Sequence, residues 1–485
     1  MPVTQLVWTW FLHRISLIQG ANIPGWVWVV LLWALMAFPA ASLRGAHYEE
    51  GTVIGLARGA VEDGHWLVPH LYGGRFTERP VLLSWMAAAI GKLSGGVTLW
   101  SARIPHLLFL LAGGLMVFNL VRQHTRKAPA VFGALCWLAC PMVAQKFVTA
   151  EPDVTLSVLL FGGFFLWWKG VTAGHVSMGR WLSIGIVLTA AGLTKGPQPL
   201  AYFALGVGAT ILVKHRWRDI PGFVAANLVA GLVVASWYWA VMIPDDVRGW
   251  LHHSRLNEPM TAAQWIRDHL DFVLSLAVVE WLPGSLLLVP AIAAIIRRTV
   301  GRERDLMLAA VLYAVSATMI LLVWPGGIAT RYAMPANLPL AVLGGILFER
   351  WWDTRPWLIA ASNTIIIGIS AALIILGWIV MPIAPDRFRQ SRIAAQSIAA
   401  VRAMVPGTLY YSPAAVNYNL LVDAPGPVRD FGLLILGNLQ APVLALLTES
   451  EIASLRAKAP NLRVIPHAIL DNRPPARIVE IRPNS

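Results

Sequence analysis

Two acidic pairs in this chain, Glu49-Glu50 and Glu151-Pro152-Asp153, each stand beside a long apolar run. A carboxylate at such a place can act as a general base, taking the proton from an attacking hydroxyl. Cations recur in the same settings: Arg58, Arg79 next to Glu78, Lys195 within Leu193-Thr194-Lys195-Gly196-Pro197, and Arg331 next to Tyr332. Guanidinium, ammonium and phenol groups hold phosphate oxygens well. A base facing a cationic cradle is what group transfer away from a phosphate leaving group requires. Any one of these charges could equally snorkel to lipid headgroups from the end of an apolar segment. Their joint occurrence on one face points instead to a shared water-filled cavity, because burying them unpaired is costly.

Membrane spans must position these groups. Of the 485 residues, 57% are hydrophobic and 13% charged, against about 25% charged in soluble domains. The apolar residues come in blocks near the ~20 residues a bilayer crossing needs. A soluble protein is excluded. Hydropathy places about eleven spans, near 26–43, 102–121, 129–147, 153–168, 181–195, 197–213, 221–243, 272–296, 306–324, 335–349 and 357–381.

The net charge of +13 is spread over short inter-span loops rather than one continuous basic face, which argues against nucleic acid. One cluster is Arg122, Arg126 and Lys127, a second Lys214, Arg216 and Arg218, a third Arg297, Arg298, Arg302 and Arg304. A single register puts all of them on one side, expected to be cytoplasmic. The outer side then holds 44–101, 146–152, 195–197, 244–271, 325–334 and everything after 381. All the chemically interesting groups fall there.

Smaller features fit this frame. Cys136 and Cys140 are packing residues inside an apolar block, not a disulfide or a zinc site. The first block, Trp26 to Ala41, is an uncleaved span, with an interfacial helix expected upstream around Trp8, Trp10 and Phe11. Segment 80–95 is too short to cross and is placed flat on the outer surface. After residue 384 the pattern changes. Ser391–Val405 has helical periodicity, Thr448 and Glu451 form a capping box, and strands are expected at 407–411, 442–447, 462–465 and 477–481. The expected architecture is an all-α polytopic membrane domain, residues 1–384, followed by a small extracytoplasmic α/β domain, residues 385–485.

The order Glu49-Glu50, Ala57-Arg58, Gly64-His65-Trp66-Leu67-Val68-Pro69 and Glu78-Arg79-Pro80 resembles the first outer loop of GT-C lipid-linked sugar transferases. The bacterial aminoarabinose–lipid A transferases and their protein-mannosyltransferase-like relatives are the nearest such family. Glu151-Pro152-Asp153, Leu193-Thr194-Lys195-Gly196-Pro197 and Arg331-Tyr332-Ala333-Met334-Pro335 extend the likeness over roughly residues 26–350. The resemblance implies a GT-C fold in the bacterial inner membrane and a polyprenyl-phosphate sugar donor. It also implies inversion at the anomeric carbon and an extracytoplasmic acceptor such as lipid A, another glycolipid, a glycan or a protein.

It further implies Glu49, Asp153, Glu151 and Glu50 as catalytic candidates, with Arg79, Lys195, Arg331 and Tyr332 on the donor phosphate and Arg58 and Glu78 in support. No cofactor is assigned, and a divalent metal is left open. The sequence departs from the family in three places. Glu49 replaces an Asp, moving the carboxylate by one methylene, about 1.5 Å. Arg79 replaces a Lys, exchanging a point charge for a bidentate fork, and Pro80-Val81 replaces Pro-Pro.

Loop 244–271 carries Asp245, Asp246, Glu258, Asp268 and Asp271 against Arg248, Arg255 and Arg267, which does not favour an anionic acceptor. Its His252-His253 pair points to different sides of a helix, a poor start for a metal site. Two other classes compete with a transferase. A secondary transporter or lipid carrier of the inner membrane would place charges near the bilayer midplane, often with repeats, and none are visible here. A non-catalytic glycan-binding protein would draw on the Asp-to-Glu change at position 49.

Overall fold

The computed structural model describes residues 18–197, 200–253, 261–297, 301–324, 328–352, 354, 356–470 and 475–483. The upstream residues Trp8, Trp10 and Phe11, together with Arg255, Glu258, Arg298 and the side chains of His252 and His253, lie outside that description.

A helix occupies each of the eleven places where hydropathy put a span. Among the described residues, seven helices are long and apolar enough to cross a bilayer, or eight if one bent pair counts as a span. The expected crossing at 272–296 falls on that pair. Ala262–Glu280 and Gly284–Arg297 meet at 92°, where Leu282-Pro283 interrupts the helix and proline offers no backbone N–H to continue it. Lys127–Leu138 and Leu200–Val213 are shorter apolar helices. The chain is a multi-pass membrane protein.

Burial ranks the helices. In Thr330–Trp351, 89% of the apolar window is buried, against 17% in Trp357–Ile383, so the first is the hub of the bundle and the second faces lipid. Small residues let the hub's neighbours approach. A Cβ on Gly345 would meet the Pro129 carbonyl at 3.0 Å, and one on Gly344 would meet Cys136 Sγ at 3.1 Å. Close backbone approach of this kind substitutes for the hydrophobic drive that lipid cannot supply. Cys136 and Cys140 are buried and unpaired within this packing.

The two ends of the bundle differ. At one end, ion pairs tie the basic loops to one another: Arg126–Glu349 at 2.6 Å, Lys214–Asp305 at 2.7 Å and Arg350–Glu303 at 2.6 Å. Helix Asn337–Trp351 runs from there to Arg331 and Tyr332 just before its start. At 1.5 Å per residue the two ends lie about 20 Å apart.

Beyond the second end, Glu50–Glu62 and Leu82–Ser94 pack through Val53, Ile54, Ala57, Leu83 and Ala87. Leu82–Ser94 has 13 residues, about 20 Å of helix and short of a ~30 Å hydrocarbon core. A hairpin follows Glu50–Glu62, β1 (His70–Leu71) against β2 (Gly74–Arg75). Tyr72 and Gly73 both have positive φ at its tip, as a two-residue primed turn demands.

Residues 390–483 carry helix Gln390–Met404 and a five-stranded sheet ordered β4-β3-β5-β7-β6. Its strands are β3 (Leu409–Tyr411), β4 (Val428–Asp430), β5 (Val443–Leu447), β6 (Leu462–Leu470) and β7 (Ala476–Pro483). β3 is parallel to β4 and β5, and β7 is antiparallel to β5 and β6. Alternation divides β5 between two cores. Leu444 and Leu446 face Ile398 and Val401, and Ala445 and Leu447 face Ile452 and Leu455 of the capped helix Glu449–Lys458. Strand β4 is the one that sequence patterning missed.

This unit is clamped onto the first loop. Gly51 N donates to Asn419 Oδ1 at 2.8 Å, and Asn419 Nδ2 to the Tyr48 carbonyl at 2.7 Å. A Cβ on Gly51 would meet Asn419 N at 2.4 Å, so glycine is needed for that approach. Arg429 grips Asp63 with two bonds of 2.6 and 2.7 Å.

Candidate active site

Helix ends bring the charged groups together. Glu49 is the N-cap residue of Glu50–Glu62 and Glu151 that of Pro152–Thr172, with Asp153 in its first turn. Lys195 is the last residue of Met178–Lys195. Each sign matches its helix end, acids at N-termini and the lysine at a C-terminus. Gly196 then turns the chain with φ +107, a conformation open to glycine. Arg331 and Tyr332 sit in the tight turn Thr330–Ala336 that feeds the hub helix.

The side chains form one network. Arg79 pairs with Glu49, and Arg331 reaches Glu49 at 3.6 Å and Asp153 at 4.0 Å. Lys195 pairs with Asp153. Lys146 pairs with Glu151 and reaches Asp153 at 3.2 Å. Tyr332 lies under two cations, its ring centroid 4.5 Å from Lys195 Nζ and 5.6 Å from Arg331. Its ring face, rather than its hydroxyl, meets the cations, a cation–π arrangement.

Four cations thus face three carboxylates, an excess of one positive charge. The hydrogen bonding is incomplete too: Arg331 Nε and Glu151 Oε1 are buried without a hydrogen-bond partner. Burial and then the Arg331 charge lower the Arg79 pKa from its ordinary value, with Asp153 opposing them. Cations crowded this way favour an added anion.

The carboxylates are not equivalent. The Glu49 side chain is 18% exposed and that of Asp153 4%. Glu49 alone is open enough to meet an incoming hydroxyl, while Asp153 is spent holding Lys146, Lys195 and Arg331.

Of the expected site residues, Glu49, Glu151, Asp153, Arg79, Lys195, Arg331 and Tyr332 meet. Three do not. Glu50 is fully buried and closes a two-pronged pair with Arg103, both bonds 2.7 Å. It also accepts from Ala150 N and His47 N at 3.1 Å each. With both oxygens occupied, Glu50 has nothing left for a substrate, and its expected catalytic place is corrected to a structural one. Arg58 points along the helix to the Val422 carbonyl at 2.6 Å. Glu78 is exposed, near Tyr418.

Sequence patterning missed Lys146 and Arg103. Each had a signal: Lys146 is a lone charge between apolar blocks, five residues before Glu151, and Arg103 lies in the first turns of the apolar helix Leu99–Arg122. Among the described residues, no group of three or more His, Cys, Asp or Glu side chains could hold a metal.

The chain is similar to several known proteins. Residues 78–239 match the dolichyl-phosphate-mannose-protein mannosyltransferase family. An undecaprenyl phosphate-alpha-4-amino-4-deoxy-L-arabinose arabinosyl transferase of Pseudomonas fluorescens is 25% identical over 382 residues, covering 74% of this chain and 65% of that protein. A namesake from Pseudomonas paraeruginosa is 29% identical over 58% of this chain and 52% of its own length. The chain thus spans about three fifths of the length of the curated relatives it matches. The crystal structure of ArnT from Cupriavidus metallidurans bound to undecaprenyl phosphate superposes with a TM-score of 0.69 at 17% identity, covering 94% of this chain and 97% of that one. Its apo form gives 0.68. The fold is the expected one.

Proposed function

We propose that this chain, an aminoarabinose-transferase-like protein of GT-C fold, moves a sugar from a polyprenyl-phosphate donor to an acceptor hydroxyl with inversion. The carrying observation is the network's unbalanced positive charge beside an accessible carboxylate. The donor's phosphodiester takes up the excess charge, competing with Glu49 for Arg79 and Arg331 and so freeing that carboxylate. Glu49 then accepts the proton of the acceptor hydroxyl. The acceptor oxygen bonds to the anomeric carbon from the face opposite the phosphate, and the carbon–oxygen bond to phosphate breaks. The electron pair leaves with polyprenyl phosphate, whose second negative charge is held by Arg79, Lys195 and Arg331. Lys146 and Asp153 keep those cations aligned.

The substrate for which the relatives are named, an undecaprenyl-phosphate-linked amino sugar, supports a sugar of that kind as donor. A lipid, glycan or protein hydroxyl is the acceptor. We place the site and the domain 385–485 on the periplasmic side of the inner membrane, with residues 1–384 as the catalytic membrane domain. The basic loops gathered at the far end of the bundle support that orientation.

The test is Glu49→Gln in lipid nanodiscs with an undecaprenyl-phosphate-linked sugar. Transfer should fall while undecaprenyl phosphate still binds; undiminished transfer would remove Glu49 as the base.

A further inference from the structure

A cavity lies away from the charged network, where the first loop meets the C-terminal unit. It measures about 430 Å³ and is lined by Arg58, Glu62, Asp63, Tyr72, Gly96 and Arg429 among others. That volume falls within the ~300–1,000 Å³ of small-molecule sites. Both units build its walls, so it exists only while they are clamped together.

Its chemistry differs from that of the central network. Arg429 is neutralised by the two-bonded pair with Asp63. Arg58 is engaged by backbone carbonyls, Val422 at 2.6 Å and Val97 at 3.4 Å. Two arginines against Glu62 and Asp63 leave no net charge to attract a phosphate. Glu62 is exposed, with no hydrogen-bond or ion-pair partner among the described residues.

Tyr72 contributes to the wall from below, at 4% exposure, its hydroxyl sealed inside the protein and its ring packed on Tyr411 and Tyr418. Gly96 leaves its part of the wall open, since a Cβ there would meet nothing within 4 Å.

Acids and guanidiniums in balance, with the Glu62 carboxylate exposed and free to accept, suit a ligand rich in hydroxyls and without charge. The cavity also has a fixed relation to the candidate base. Glu49 begins the helix that carries Arg58 and Glu62, which puts those two about 13 and 20 Å along the same axis. That is too far for the reacting sugar and suitable for a ring further along an acceptor.

We propose that this cavity binds a neutral sugar ring of the acceptor glycan, remote from the point of transfer. The inference rests on the transferase reading for the word acceptor. The binding itself does not.

The experiment uses the full chain in nanodiscs. Maltotriose and chitotriose serve as neutral probes, glucose 6-phosphate as an anionic one and undecaprenyl phosphate as a reporter of the central site. Binding is followed by saturation-transfer NMR and titration. A neutral trisaccharide should bind, weaken about tenfold in Glu62→Gln, the scale of one hydrogen bond to a charged group, and be lost in Gly96→Phe, with undecaprenyl phosphate binding unchanged in both variants. Glu62→Gln keeps the test alive should the larger substitution misfold. Failure of both trisaccharides to bind, preference for glucose 6-phosphate, or trisaccharide binding indifferent to both substitutions would overturn the proposal. Trisaccharide binding sensitive to the substitutions in a chain that does not bind undecaprenyl phosphate would uphold the cavity and discard the central-site reading instead.

Discussion

Glu49 and Glu50 are neighbours at one helix end, yet they live in opposite electrostatic worlds. Glu50 meets Arg103 across two bonds, adds two backbone donors and is fully buried. Every lone pair that could be satisfied is satisfied, so the pair acts as a bolt holding the helix start. Glu49 sits among cations that outnumber the carboxylates and keeps part of its surface open. Saturated charge makes structure; unsaturated charge waits for a ligand.

Substituting the two glutamates tests this contrast most severely. Glu49→Gln should cut transfer about 10²- to 10⁴-fold, the span of a missing general base, with the melting temperature nearly unchanged. Glu50→Gln strands the Arg103 charge, which costs about 3–5 kcal/mol of stability for a broken buried pair and should appear as a large fall in melting temperature. If Glu50→Gln kept its stability and lost only turnover, the division between bolt and site would be wrong.

Lys195→Met comes next. It removes one cation from a network whose excess is a single charge, so the site loses its net attraction for phosphate. KM for the donor should rise about 10- to 100-fold, as for a buried charged hydrogen bond of ~1.5–3 kcal/mol. A purely structural lysine would lower stability and leave KM alone.

Tyr332 gives the smallest effect. Tyr332→Phe keeps the ring under Lys195 and should leave KM within about twofold, whereas Tyr332→Leu should raise it a few-fold, a cation–π interaction being worth about 0.5–2 kcal/mol. Equal losses in both variants would return the role to the hydroxyl.

Much of this was legible in the sequence, and the reasons are local. Span positions follow from runs of apolar residues, and the gathering of the basic loops at one end follows from Arg122 to Lys127 and its counterparts. The tail's capping box at Thr448 and Glu451 and strands such as 442–447 are short-range patterns that survive in the fold. Partner choice was not legible. Nothing in Glu49-Glu50 says which carboxylate will meet Arg103, because that arginine lies 53 positions beyond Glu50 and the choice depends on which side of the helix start faces the bundle. Strand β4 escaped for a similar reason. Three residues after Pro427 carry little period of their own, and they become a strand by pairing with β3 while Asp430 N donates to the Tyr72 carbonyl. The break at Leu282-Pro283 was hidden inside a run whose average hydropathy suits a single crossing.

Titration of undecaprenyl phosphate against undecaprenol on the same nanodisc-held chain tests most directly whether the charged network is a phosphate site. The phosphate should bind and the alcohol should not. Changing Lys195 and Arg331 together to Met removes two charged hydrogen-bond donors, so affinity for the phosphate should fall at least about 100-fold. Equal binding of alcohol and phosphate, or phosphate binding that survives the double substitution, would contradict that assignment.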